Sequence, residues 1–235
     1  MLPNRFTGRY YSTFSETHFD GGQVNMTLVF LGNSALRRVS KSVADVKAPA
    51  VRRLLESMEQ EVRQEAGVGI AAPQLAHNLR MFLMIKNMPE NEDDLDKLEY
   101  QEVLNPQIVA MSNSTKRDFE GCLSVPGYQG IVKRAQEIRV QYEDAEGRKI
   151  QETLVDFPAR IFQHELDHLN GVMYLDRLDP GSLIHNEEFE AMEWADLEKL
   201  LLQGPPKIPP LMTPMSTQTS SGRQGKGKGK PKNKF

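Results

Sequence analysis

The alternation of apolar and polar positions predicts most of the regular structure. Apolar residues at Thr27 to Leu31 predict a first strand after Met26. Val51, Leu54, Leu55, Met58 and Val62 then recur at the spacing of one helical face, and Gly67 is placed to end that helix. Arg80 to Ile85 predicts a buried strand, and the acidic stretch Met88 to Lys97 a surface loop. Short strands are predicted at Glu102–Leu104, Ile108–Met111 and Lys116–Phe119. Ile138, Val140 and Tyr142 alternate with polar neighbours, Ala145-Glu146-Gly147 turns the chain, and Lys149 to Val155 alternates again, which is the pattern of a hairpin. A helix over Pro158–Asn170 comes next, with Asp156 as its N-cap and Gly171 as its left-handed stop. A last helix is predicted from Ile184 to Gln203, closed by Pro205 and Pro206. Strands gathered around one central helix, with another helix at the C-terminal end, predict an α+β fold of antiparallel or mixed sheets.

The ends of the chain have another character. Residues 1–25 read as an N-terminal extension, 26–204 as the catalytic domain, and 205–235 as a Pro-, Ser-, Gly- and Lys-rich tail with too little apolar surface to offset the entropy of ordering. The net charge of -3 is unevenly spread: Gly222 to Phe235 carries six basic and no acidic residues, so the remainder holds -3 - 6 = -9. An acidic body excludes a general nucleic-acid binder, while the basic end suits an RNA-rich partner such as the ribosome. The single cysteine cannot close an intramolecular disulfide, and no run approaches the roughly 20 apolar residues of a membrane span. These features imply a reducing, cytoplasmic setting, with organellar targeting by the N-terminal extension as the other reading.

The strongest chemical signal is His164-Glu165-Leu166-Asp167-His168 on the capped helix. Spacing of i and i+4 turns both imidazoles to one side, where they can share a metal, with Glu165 beside them as an acid/base. Apolar Ile161, Phe162 and Leu169 around the motif argue that this helix is buried rather than a solvated polar face. A catalytic site needs a third ligand and an open position. The place where one zinc peptidase class puts a third histidine holds Tyr174; Glu188 would serve in an H-E-x-x-H zinc endopeptidase, and Cys122 in Glu120-Gly121-Cys122-Leu123-Ser124 is the competing candidate. Gly67, Gly69 and Ala72 match a nucleotide-binding G-x-G-x-x-A, but a helix precedes them where a strand is needed and Pro73 interrupts the helix that should cradle a phosphate, so that reading fails. Close approach of a ligand to the backbone, with Gln74 offering its amide, competes with a plain tight turn.

Taken together, Gly69-Ile70-Ala71-Ala72-Pro73-Gln74, Glu120-Gly121-Cys122-Leu123-Ser124 and Gln163-His164-Glu165-Leu166-Asp167-His168 resemble the three ordered motifs of the peptide deformylases over roughly Met26 to Leu178. The resemblance implies a metallohydrolase of N-terminal protein processing that removes the formyl group from the formyl-methionine of nascent polypeptides, releasing formate. It implies Cys122, His164 and His168 as metal ligands, Glu165 as general acid/base toward a water activated by the metal, and Gln74 and the Leu123 N–H as donors to the developing oxyanion. It also implies one divalent ion, Fe(2+), with Zn(2+), Ni(2+) or Co(2+) as substitutes. The formyl-methionyl peptide is expected to lie extended beside Val68, Gly69 and Gly121, its methionine walled by Phe157, Ile161 and Val125. Gln129 stands where many relatives carry an arginine, and Arg134 is expected to pair with a carboxylate such as Glu120.

Overall fold

The computed structural model describes residues 27–86 and 98–205. The N-terminal extension, the acidic loop Met88–Lys97 and the tail from residue 206 lie outside the described residues. Within them run helix α1 (Pro49–Gln64), strands β1 (Gly69–Ala71), β2 (Met81–Ile85), β3 (Tyr100–Met111), β4 (Thr115–Cys122), β5 (Val125–Ala135), β6 (Glu137–Glu143) and β7 (Lys149–Val155), helix α2 (Phe157–Leu169), strand β8 (Ile184–His185), and helices α3 (Asn186–Ala191) and α4 (Trp194–Gln203). The strands form a five-stranded sheet in the order β1-β2-β3-β6-β7 and a three-stranded sheet in the order β4-β5-β8, every ladder antiparallel. This is the α+β arrangement the sequence predicts. No described helix is long and apolar enough to cross a membrane.

Strand β2, Met-Phe-Leu-Met-Ile, is buried at every position because it has a helix on each face. Its alternate side chains part accordingly. Phe82 and Met84 join Val103, Ile138, Val140, Phe162 and Leu169 under α2, while Met81 and Leu83 join Leu54, Leu55, Met58 and Val62 of α1. Phe82 meets Phe162 edge-on with ring centroids 5.1 Å apart, which seats the inner face of α2 on the sheet. Truncating a wholly buried phenylalanine such as Phe162 costs about 3–5 kcal/mol, so this contact fixes the height of the helix that carries the H-E-x-x-H motif.

Several predicted elements are placed differently. Thr27–Leu31 forms no strand; it crosses as a strap whose Val29 N–H donates to Gln74 O and Leu31 N–H to Ser124 O, both at 2.8 Å, because it meets loops rather than a strand edge. Helix α1 stops before Gly67: Ala66 takes the left-handed place (φ 48°) and the Gly67 N–H closes back on Val62 O. Two of the three predicted short strands, Glu102–Leu104 and Ile108–Met111, merge into β3, which bends at Asn105 (φ 51°) where its register against β6 shifts. Asp156 precedes α2 without capping it by its side chain; its φ is 57° and its Oδ1 accepts from Gln136. Gly171 does end the helix segment as predicted, with φ 72° and the Arg37 backbone 2.8 Å from where a Cβ would sit. The predicted last helix divides: Ile184–His185 pairs with β5 as β8, and α3 and α4 are separated at Met192 and Glu193 because Phe189 and Leu197 both turn onto Phe119 and Ile131.

Candidate metal centre

Three elements supply the candidate ligands and their surroundings. Helix α2 presents His164 and His168 one turn apart, with ring centroids 5.1 Å apart, and β4 ends at Cys122. Between Gly121 and Cys122 the β4–β5 register shifts, and Leu123 and Ser124 form the turn that brings Cys122 opposite Val125. That irregularity aims the Cys122 side chain at α2. Its Sγ lies 3.3 Å from His168 Nε2, and single ligand atoms of Cys122, His164 and His168 all fall within 4.8 Å of one another. All three residues are buried. Among the described residues Glu188 is not part of this group; it is exposed on α3.

The surroundings fit a divalent cation. Glu120 Oε2 accepts from His164 Nδ1 at 3.0 Å, leaving the Nε2 lone pair for a metal. Burial opposes a charge on His164, but hydrogen bonds to Cys122 and Glu120 hold its pKa well above the ordinary value, so the local field favours positive charge there. Burial, with the charges of His164 and Arg134, holds His168 well below its ordinary value, in the neutral form a metal requires. A sulfur and two imidazoles suit zinc, iron(II), nickel and cobalt alike.

Glu120 is itself held firmly. Arg134 Nε and Nη2 donate to its two oxygens at 2.9 Å each, and Arg160 Nη1 adds a third bond to Oε1 at 2.7 Å. Burial would raise its pKa, yet the Arg134 guanidinium and His164 hold it well below the usual carboxylate range. Arg134 also reaches Asp167, which Arg177 grips through both oxygens. The expected pairing of Arg134 with Glu120 is present; the contributions of Arg160, Asp167 and Arg177 have no local sequence signature, since their partners lie on other elements.

Glu165 stands in a contrasting environment. It is 4% exposed, and its Oε2 has no hydrogen-bond partner among the described residues. Burial raises its pKa to about 7; His164 and Arg134 pull downward and Glu120 pushes upward. Gly69 makes room for it, because a Cβ there would lie 2.5 Å from Glu165 Oε1. Gln74, in the short 3-10 turn Ala72–Leu75, is pinned by Ala71 N–H donating to its Oε1 at 2.8 Å, and its Nε2 faces Cys122 Sγ at 3.6 Å and Ser124 Oγ at 3.3 Å.

A cavity of ≈ 50 Å³ opens beside these groups. Of the sequence-predicted site residues, Val68, Gly69, Gln74, Gly121, Cys122 and Leu123 line it, as do Phe157, Ile161, His164 and Glu165. Val125 does not; it is packed with Leu36, Val132, Met173 and Tyr174 behind the ligands, because residues on its strand alternate away from the opening. Phe119 and Arg160 line the cavity without having been signalled by the sequence. Gln129 is buried at 1% exposure, with neither amide atom hydrogen-bonded among the described residues. Tyr174 stacks on His164, centroids 6.2 Å apart, rather than ligating.

Comparison with known proteins agrees with this geometry. The family model for polypeptide deformylase matches residues 26–183. Peptide deformylase 2 of Nostoc sp. is 37% identical over 168 residues, which are 71% of this chain and 94% of that protein. Peptide deformylase of Thermus thermophilus is 38% identical over 153 residues, covering 63% of this chain and 79% of its own. The crystal structure of peptide deformylase from Thermotoga maritima superposes with a TM-score of 0.59 at 33% identity, covering 65% of this chain and 97% of that one. With a matching family model and a buried Cys/His/His group at the place where the motifs converge, the chain belongs to the polypeptide deformylase family and is a metal-dependent hydrolase for formyl removal.

Proposed function

We propose that this protein deformylates nascent polypeptides that begin with formyl-methionine, with Cys122, His164 and His168 holding one Fe(2+) and Glu165 moving the proton. The observation that carries this reading is the pairing of a buried Cys/His/His group with a carboxyl raised to about 7 and, among the described residues, left without a partner on one oxygen. Such an ion supplies Lewis acidity, polarising the formyl carbonyl and acidifying the attacking water. Glu165, poised near neutrality, takes the proton of that water and returns it to the leaving amine, a role worth about 10²- to 10⁴-fold. The Gln74 amide, fixed by its bond from Ala71, and the Leu123 N–H in the turn are the donors toward the formyl oxygen.

Strand β1 is an edge: among the described residues it pairs only with β2. An extended peptide adds to its free side, lying beside Val68 and Gly69, and main-chain bonding of that kind tolerates many downstream sequences. A relative from Acinetobacter baumannii, 29% identical, has been solved bound to Met-Ala-Ser, which is the kind of product such an enzyme leaves. The methionine side chain enters the cavity between Phe157 and Ile161. The basic run Gly222–Phe235 steers the enzyme to ribosomal RNA, and an unpaired thiol ligand suits a reducing cytoplasm. Deleting that run is expected to weaken ribosome binding and flatten its salt dependence; unchanged binding overturns this part.

The test is formate release from a formyl-Met peptide by anaerobically prepared iron(II) protein, run with an unformylated peptide alongside. Formate release with no cleavage of the second peptide is expected. Internal cleavage without formate would move the reading to an endopeptidase.

A further inference from the structure

A second cavity, ≈ 740 Å³, lies between β4, β5, the first turn of α2 and α4. Phe119, Phe157 and Arg160 line both it and the smaller cavity at the metal centre, so these three side chains are the partition between them. Phe119 is fixed edge-on to Phe189, 4.9 Å between centroids. Arg160 is fixed by polar bonds: besides Glu120, its Nη1 donates to Val132 O at 3.0 Å and its Nη2 to Lys116 O at 2.8 Å. Those carbonyls belong to β5 and β4, so the guanidinium is anchored to the sheet. Its apolar stem remains to line the cavities.

The bond from Arg160 also completes Glu120. Arg134 and Arg160 together supply two donors to Oε1, while Oε2 receives Arg134 and His164. A rotation of the carboxylate that would abandon His164 would also break the Arg160 bond. We propose that Arg160 has two separable roles: its stem closes the back of the pocket for the substrate's first side chain, and its guanidinium positions His164 through Glu120. The first role rests on the reading of the smaller cavity as the methionine pocket.

Four variants separate the roles. Arg160→Met keeps length and apolar bulk without donors; Arg160→Lys keeps the charge; Arg160→Ala removes everything; Phe157→Ala opens the same wall without touching Glu120. The readouts are the visible absorption of the cobalt(II)-loaded protein, retention of metal against a chelator, and the kcat/KM ratio for formyl-2-aminodecanoyl against formyl-methionyl peptide. For Arg160→Met the cobalt bands should shift and metal retention fall about 10- to 100-fold, the usual effect of losing an outer-shell partner, with the substrate ratio unchanged and Arg160→Lys restoring the bands in part. Arg160→Ala should add at least about a tenfold rise in the ratio. Phe157→Ala should raise the ratio with the bands unmoved. Unshifted bands and unchanged retention in Arg160→Met overturn the positioning role. An unchanged ratio in both alanine variants overturns the wall. Absence of formate from the parent enzyme would instead count against the proposed substrate, and the cobalt and chelator measurements would still decide the positioning role.

Discussion

Glu120 and Glu165 are both buried near His164, one reaching it from β4 and one next to it in sequence, yet their environments are opposed. Glu120 receives bonds from two arginines and a histidine and stays charged, below the usual carboxylate range. Glu165 has an oxygen with no partner among the described residues and a pKa raised to about 7. Full pairing holds a carboxylate in its charged form; withheld pairing leaves one able to take up a proton near neutral pH. The same depth of burial therefore yields opposite chemistry, decided by the donors supplied.

Glu165→Gln is the sharpest test, since it keeps the shape and removes the basic oxygen. Formate release should fall about 10²- to 10⁴-fold while metal content, measured by elemental analysis, and Tm stay close to the parent's. A loss of metal instead would make Glu165 part of what holds the metal. Glu120→Gln should do the reverse. It leaves Arg134 and Arg160 buried beside a neutral group, and breaking a buried pair in this way costs about 3–5 kcal/mol, to be read as a lower denaturation midpoint with metal more readily lost to a chelator. Gly69→Ala places a Cβ against Glu165 Oε1 and should displace that carboxyl without disturbing Glu120. A misplacement near 1 Å costs about 10²-fold, expected in kcat, with the cobalt spectrum unchanged.

The smallest effect concerns the strand that precedes the site. The Tyr100 hydroxyl donates to Gly67 O at 2.5 Å, and burial, helped by Glu59 and opposed by Arg63, pushes its pKa up to about 12. Because the folded value is raised, this tyrosine's contribution is complete below the ordinary tyrosine pKa of about 10 and fades as pH climbs toward 12. Tyr100→Phe should lose about 1 kcal/mol at neutral pH in chemical denaturation, and the gap from the parent should close above pH 10. A gap that persists there would show that packing, rather than this hydroxyl, supports Gly67.

Local pattern made the hairpin β6–β7 and the H-E-x-x-H helix legible, because each is specified within about a dozen neighbouring residues. The two histidines and Glu165 could be placed relative to each other from helical spacing alone. Cys122 could not, since its position depends on a register shift between β4 and β5; its setting made it one of two candidate third ligands, and the likeness of three motifs decided between them. Arg160 shows the limit most clearly. Nothing in the local pattern assigns a role to this charged residue four positions before His164; carbonyls 28 and 44 positions away in sequence anchor it. The division between α3 and α4 was hidden for a related reason: their apolar periodicity runs on through Met192 and Glu193, and the break comes from packing onto β4 and β5.

Cys122 and His168 are 46 positions apart, and each is aimed by contacts its own segment does not contain. During synthesis, neither the β4–β5 turn nor an isolated α2 can offer more than part of a coordination sphere. Tight capture of an ion therefore waits for both sheets to close on the helix, and the moment of loading timestamps the end of folding.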